Sequence, residues 1–231
     1  MALVARAYDR RVHGSVEHLA RATANALNAD AGSHAVTADP LELAAIERAA
    51  ERSWAASPYI EQRYGERGRR FTRSDSGWIA TLPDLPQDAV DRQLRWLGVL
   101  LASRGMPRLL LEEHLEVLAE ELAVALPDRA AAYEKLRVGA AGLRRERESH
   151  LPAAQLEQLA GTFRQRLPPH LPDEIREGVL IGAAVADERA GIGQAVDSLL
   201  AWLADPARFP AHWCTAVDLA LKQARLLPGG A

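Results

Sequence analysis

The chain is short of several things at once, and each shortage removes a class of protein. It has one cysteine, Cys214, in 231 residues, which excludes an intrachain disulfide, so stability must come from a packed core. A lone thiol also suits a reducing compartment, and the expectation is a cytoplasmic protein. No apolar run approaches the ~20 residues that a membrane-spanning helix needs; Gly178 to Ala186, among the longest uncharged stretches, falls far short. Near the N-terminus Arg6, Asp9, Arg10 and Arg11 interrupt the apolar residues before a signal-peptide core could form. Neither sign of charge dominates, since 28 basic and 31 acidic residues leave a net charge of -3. A chain so balanced has no global field to draw it to nucleic acid or to an anionic membrane.

Strand-favouring residues are scarce as well. Alanine, leucine, glutamate and arginine dominate, while isoleucine, threonine and the aromatics are few. Periodicity agrees: from Val90, the apolar residues Leu94, Leu97, Val99, Leu100 and Leu101 recur at steps of three and four, and no comparable stretch alternates with period two. The prediction is an all-α, compact bundle of about eight to ten helices, with a globin-like arrangement as one candidate.

The punctuation places those helices. A first one is expected from about Leu3 to Leu27, followed by a loop from Asn28 to Ala38. Asp39-Pro40 reads as a cap with proline at the first helical position, and the helix behind it turns Leu43, Ile46 and Trp54 inward until Ser57-Pro58. From Tyr59 to Pro86 the pattern loosens, with Gly65, Gly68 and Gly77 interrupting short helical pieces. Asp88 opens a helix to about Ser103, Arg108 to Ala125 forms the next, and Asp128 opens another that runs to about Glu148. Helix resumes over Ala153 to Arg166. Proline density then makes Leu167 to Pro172 an extended connector. On this reading residues 1–166 form the main bundle. Residues 173–231 add a C-terminal helical segment, with a cap at Asp173, packed on the same bundle. The helix beginning Ala89-Val90-Asp91 echoes one beginning Ala195-Val196-Asp197, as two amphipathic helices that start alike would.

The usual chemical signatures are missing. Di-iron bundles offer Glu-x-x-His, because three residues along a helix return both side chains to one face; no histidine here has a glutamate three positions before it. His-Glu-x-x-His, Cys-x-x-Cys, the phosphate-binding glycine loop and the Gly-x-Ser-x-Gly elbow are also absent. His13 and His18, five residues apart, point to different faces of a helix. His212-Trp213-Cys214 places a thiol beside a histidine, as a nucleophile or redox sensor would, but a free cysteine more often packs as a small hydrophobe.

Two places remain. Arginines interleave with aromatics from Tyr59 to Trp78, and guanidinium forks suit carboxylate or phosphate groups while aromatic planes suit flat rings. Tyr64, Arg67, Phe71, Trp78 and Trp96 are therefore the expected ligand-binding residues. His114, four residues after Leu110 and four before Leu118, falls on an apolar stripe beside Glu112, Glu113 and Glu116, where a histidine could hold a haem iron.

Arg63-Tyr64-Gly65-Glu66-Arg67-Gly68, then Asp75, then the amphipathic stretch from Val90 to Ser103 and Arg104-Gly105-Met106-Pro107 resembles the helical sensory domains of bacterial regulators. Those domains precede cobalamin-binding or STAS output domains, and some are globin-like without haem. The likeness spans Pro58 to Leu122 and implies a sensory role. It departs where those domains carry a cysteine or histidine near the aspartate, since Phe71 and Trp78 stand there instead, and no output domain follows Leu171.

The expected function is thus that of a non-enzymatic regulatory or interaction protein. It would bind a partner helix or a small ligand in an apolar groove, with a homodimer as one option and no cofactor by default. Two other readings stay open: a haem- or tetrapyrrole-binding bundle, globin-like or haem-oxygenase-like, with His114 as axial ligand, and a metal-dependent oxidase of helical-bundle type.

Overall fold

The computed structural model describes residues 21–168 and 176–229. Ten α-helices occur among them: α1 (Ala24–Leu27), α2 (Pro40–Ala56), α3 (Pro58–Ile79), α4 (Gln87–Ala102), α5 (Arg108–Ala125), α6 (Ala130–His150), α7 (Ala153–Gln165), α8 (Glu177–Arg189), α9 (Ala195–Leu203) and α10 (Ala211–Leu226). Two strands, β1 (Arg21–Thr23) and β2 (Ala35–Thr37), pair antiparallel with Ala22 opposite Val36. The architecture is all-α, and none of the described helices is long and apolar enough to cross a membrane.

Local chemistry explains most boundaries. The Asp39 carboxylate accepts from the Leu41 amide at 2.8 Å, with Pro40 behind it, so α2 starts where the sequence predicts. Prolines 86, 107, 152 and 210 each precede the first residue of a helix, where an extended φ suits the entry and no amide is lost.

The structure corrects two expectations. Residues 1–20 of the expected first helix lie outside the described residues, and its last part is not continuous helix. Arg21–Thr23 is strand, paired to a segment expected to be loop, and only Ala24–Leu27 is helical. Three residues per strand cannot show an alternation, and Val36, wholly buried, is what anchors the pair. Of the three glycines expected to interrupt the segment from Tyr59 to Pro86, Gly65 does so, while Gly68 and Gly77 lie within helix. Element α3, from Pro58 to Ile79, is two helical pieces joined across a kink at Gly65 (φ 51°, ψ -146°), a conformation that a side chain would strain. Glycine costs a helix interior only about 1 kcal/mol, which burial of Tyr59, Ile60 and Ile79 outweighs.

Besides a small cluster of Ala102, Ile192 and Ala195, the core has two large buried clusters. One gathers Ile46, Leu94, Leu115, Leu118, Leu122, Tyr133 and Leu136 between α2, α4, α5 and α6. The other gathers Leu159, Phe163, Leu180, Val185, Leu199, Leu203 and Val217 from α7 to α10, together with Trp54, Tyr59 and Ile60 from α2 and α3. Helices on both sides of the Leu167 connector thus share one cluster; of that connector, Leu167 and Pro168 are described and neither is helical, while residues 169–172 and the expected cap at 173 are not described. Helix α8 is apolar around its whole circumference and is buried among α5, α6, α7, α9 and α10, as that pattern requires.

Charged side chains cross the seam between the clusters. Arg108 donates through its amide (2.9 Å) and Nε (2.7 Å) to Asp187, and through Nη1 to Glu146 (2.8 Å). Arg147 holds Glu112 with both Nε and Nη2 at 3.0 Å. Asp187 and Glu112 are wholly enclosed, so each carboxylate depends on its guanidinium in place of water.

Candidate functional site

A second feature opens at the same seam. Arg67, Phe71, Asp75 and Ile79 follow one another at steps of four, which returns them to one side of α3 over about 18 Å of helix. Facing them are Ser53 and Trp54 of α2, Leu97 and Leu101 of α4, Arg104 and Met106 beyond it, and Leu110, Leu111 and His114 of α5. Together they enclose a cavity of about 320 Å³, within the roughly 300–1,000 Å³ typical of small-molecule sites. Trp54, Ile60 and Leu110 in its wall belong to one buried cluster, and Ile79, Leu97 and Leu111 to the other.

The bend at Gly65 sets one end of the cavity. It leaves Tyr64 donating to the Arg104 carbonyl at 3.0 Å, and Arg63 donating to the carbonyls of Ser198 (2.7 Å), Arg104 (3.3 Å) and Gly105 (3.3 Å). Tyr59 also donates to the Gly105 carbonyl. Arg63 therefore satisfies the C-terminal end of α4 and ties it to α9, which makes it a structural clamp.

At the other end His114 sits between two hydroxyls, with Ser53 Oγ 2.8 Å from Nδ1 and Ser76 Oγ 2.8 Å from Nε2. Burial holds its imidazole down to about 4, so at neutral pH the ring is uncharged, and one serine donates to it while the other accepts from it. What surface the ring keeps faces the cavity.

Asp75 is the cavity's one carboxylate. Burial pushes it up to about 6, opposed by the charge of Arg104, and among the described residues no donor reaches it. Arg67 and Arg104 line the cavity from its exposed margin. Neither guanidinium makes a hydrogen bond or close ion pair among the described residues, although the Arg104 charge reaches Asp75; Arg67 lies over the Phe71 ring at 5.3 Å.

Of the residues expected to bind a ligand, the structure brings Tyr64, Arg67 and Phe71 into the cavity wall, and His114 as well. It places Trp78 and Trp96 elsewhere. They meet edge to face, with centroids 6.0 Å apart, on the side of α3 that faces His34, and Trp96 is 57% exposed. For His114 to serve as an axial haem ligand, one of its nitrogens would first have to give up a serine. Among the described residues, no three His, Cys, Asp or Glu side chains cluster as metal ligands would. Cys214 packs at the start of α10 with its sulfur 3.7 Å from the Ala204 carbonyl, while the neighbouring Trp213 indole donates to Leu203 at 3.0 Å.

Sequence reasoning named Asp75 and Arg104 only as part of the resemblance to sensory domains, not as ligand-binding residues, and passed over Ser53 and Ser76. The signal for Asp75 was its spacing: four residues after Phe71 and eight after Arg67 it must share their face, once the segment is taken as one helix. In comparisons with known proteins, no family model, curated protein or solved structure matches the chain.

Proposed function

We propose that this chain is a non-enzymatic regulatory protein that takes a small molecule into the cavity between α2, α3, α4 and α5. The observation that carries the reading is the lining itself: apolar walls from four helices, with a few polar groups converging on the enclosed space. A small molecule suits this space better than a partner helix, because helices close it on several sides.

The Ser–His contacts invite a catalytic reading, in which a serine is the nucleophile and His114 its base. Two features weigh against it. A ring held down to about 4 is a feeble base at neutral pH. Its second nitrogen meets another serine, where a charge-relay arrangement would place a carboxylate to orient the ring and stabilise its cation.

Native mass spectrometry of protein purified from its own host tests the reading directly. A reproducible small-molecule adduct is expected on the parent and absent from a doubly substituted Arg67→Ala/Phe71→Ala chain whose melting temperature stays within a few degrees. Adduct-free parent protein that also fails to take up any apolar probe would refute it.

A further inference from the structure

Resting on that reading of the cavity, the charge pattern of its lining narrows the ligand. Helix α3 carries five arginines, and four of them are engaged: Arg63 with backbone carbonyls, Arg69 with Glu61, Arg70 with Asp30 and Arg73 with Glu47. The fifth, Arg67, lines the cavity with no hydrogen bond or ion pair among the described residues. Arg104, just past the end of α4, likewise has no hydrogen bond or close ion pair there, though its charge reaches Asp75. Guanidinium groups left in this state keep water as their partner until an oxyanion displaces it.

Counting charges gives the sign of the guest. Arg63, Arg67 and Arg104 line the space against Asp75 alone, so an organic cation would meet net repulsion and an anion net attraction. Asp75 in turn is a largely desolvated carboxylate that accepts no hydrogen bond among the described residues, only the more distant charge of Arg104, which favours a guest that brings an N–H or O–H to it. Trp54, Phe71, Leu97 and Leu101 demand that the rest of the guest be apolar, and the aromatic pair suits a flat ring.

We infer that the cavity holds an amphiphilic monoanion: an apolar, ring-bearing body whose carboxylate or sulfonate is gripped by Arg67 and Arg104 and whose N–H or O–H is accepted by Asp75.

Two commercial fluorophores separate this from mere apolar binding. 6-Anilinonaphthalene-2-sulfonate has the body, the N–H and a distant sulfonate; N-phenyl-2-naphthylamine has the same body and N–H without the anion. Titrated at low salt, the sulfonate is expected to bind about tenfold or more tightly than the neutral compound. Arg67→Gln/Arg104→Gln should bring it down to the neutral compound's affinity and leave that compound unchanged. Arg145→Gln, which removes an exposed arginine outside the cavity, should change neither. Asp75→Leu should weaken the sulfonate about fivefold; a tighter complex would mean that Asp75 only repels the anion and would remove it as the acceptor. Leu101→Trp, which fills the space from a half-buried position, should expel both probes while the circular-dichroism melt stays cooperative. Equal affinity of the parent for both probes, or a loss shared by Arg145→Gln, overturns the inference and leaves the cavity reading standing. Binding of neither probe refutes both.

Discussion

Asp75 and His114 line one cavity and respond to pH in opposite directions, so each conceals the other. Burial raises Asp75 from its ordinary 3.8 to about 6. The folded chain then holds that proton more tightly than the unfolded chain, and stability falls as pH rises from about 4 to 6. At roughly 1.4 kcal/mol per tenfold change in proton affinity, the full cost above that window is about 3 kcal/mol. Burial lowers His114 from 6.5 to about 4. Here the unfolded chain binds the proton more tightly, so the cost is absent above about pH 6.5 and grows to about 3 kcal/mol as pH falls toward 4. Between about pH 7.5 and 4.5 the gain from Asp75, about 2 kcal/mol, and the loss from His114, about 2.5 kcal/mol, cancel to within roughly half a kcal/mol. Urea unfolding of the parent and of Asp75→Asn at both pH values reads this out, and comparing variant with parent removes the background of other carboxylates. Asp75→Asn should be more stable than the parent by up to about 3 kcal/mol near pH 7.5, and by only about 1 kcal/mol near pH 4.5. His114→Gln should show the reverse trend, with its deficit relative to the parent shrinking by about 2.5 kcal/mol as the solution is acidified. An Asp75→Asn protein no more stable than the parent near pH 7.5, or equally displaced at both pH values, would refute a buried, unpartnered carboxylate at this position.

The ionic seam and a close helix contact give further tests. Asp187→Ala leaves the enclosed Arg108 without its main partner and should cost about 3–5 kcal/mol, whereas Arg108→Met/Asp187→Leu should recover most of that loss; equal damage in both, measured by urea unfolding, would deny the pairing its role. A methyl group at Gly182 would stand 2.5 Å from Leu156 Cδ2 and 2.9 Å from Leu159 Cδ1, so Gly182→Ala should push α7 and α8 apart and lower stability by about 1–3 kcal/mol; an unchanged denaturation midpoint would show that the contact gives way freely. Trp96→Ser removes an indole that is 57% exposed and outside the cavity lining, and should leave probe affinity in the cavity unchanged in the same fluorescence titration.

How much of this was legible in the sequence depends on how far apart the decisive residues stand. Helix ends are local events: Asp39-Pro40 caps and starts α2, and Arg108 to Ala125 could be bounded by Pro107 and Pro127, because each signal sits within a turn of the boundary it sets. Between Tyr59 and Pro86 the local signal was right at Gly65, where the helix kinks, and misled at Gly68 and Gly77. At Gly77 the helix runs on because the missing side chain leaves room for Leu27 and Val36, partners more than forty residues away. That error hid part of the site. Only on a continuous helix do Arg67, Phe71 and Asp75 share a face, and only then does an aspartate among arginines become a cavity carboxylate instead of one more surface charge. Trp78 went wrong for a related reason: its place seven residues after Phe71 assigns it to the same stripe, but it lies three past Asp75 and turns toward His34 and Trp96. The serines could not have been found this way at all. Ser53 and Ser76 matter because α2 and α3 present them to the two nitrogens of a histidine on α5, a relation among three helices that no spacing along a single helix encodes.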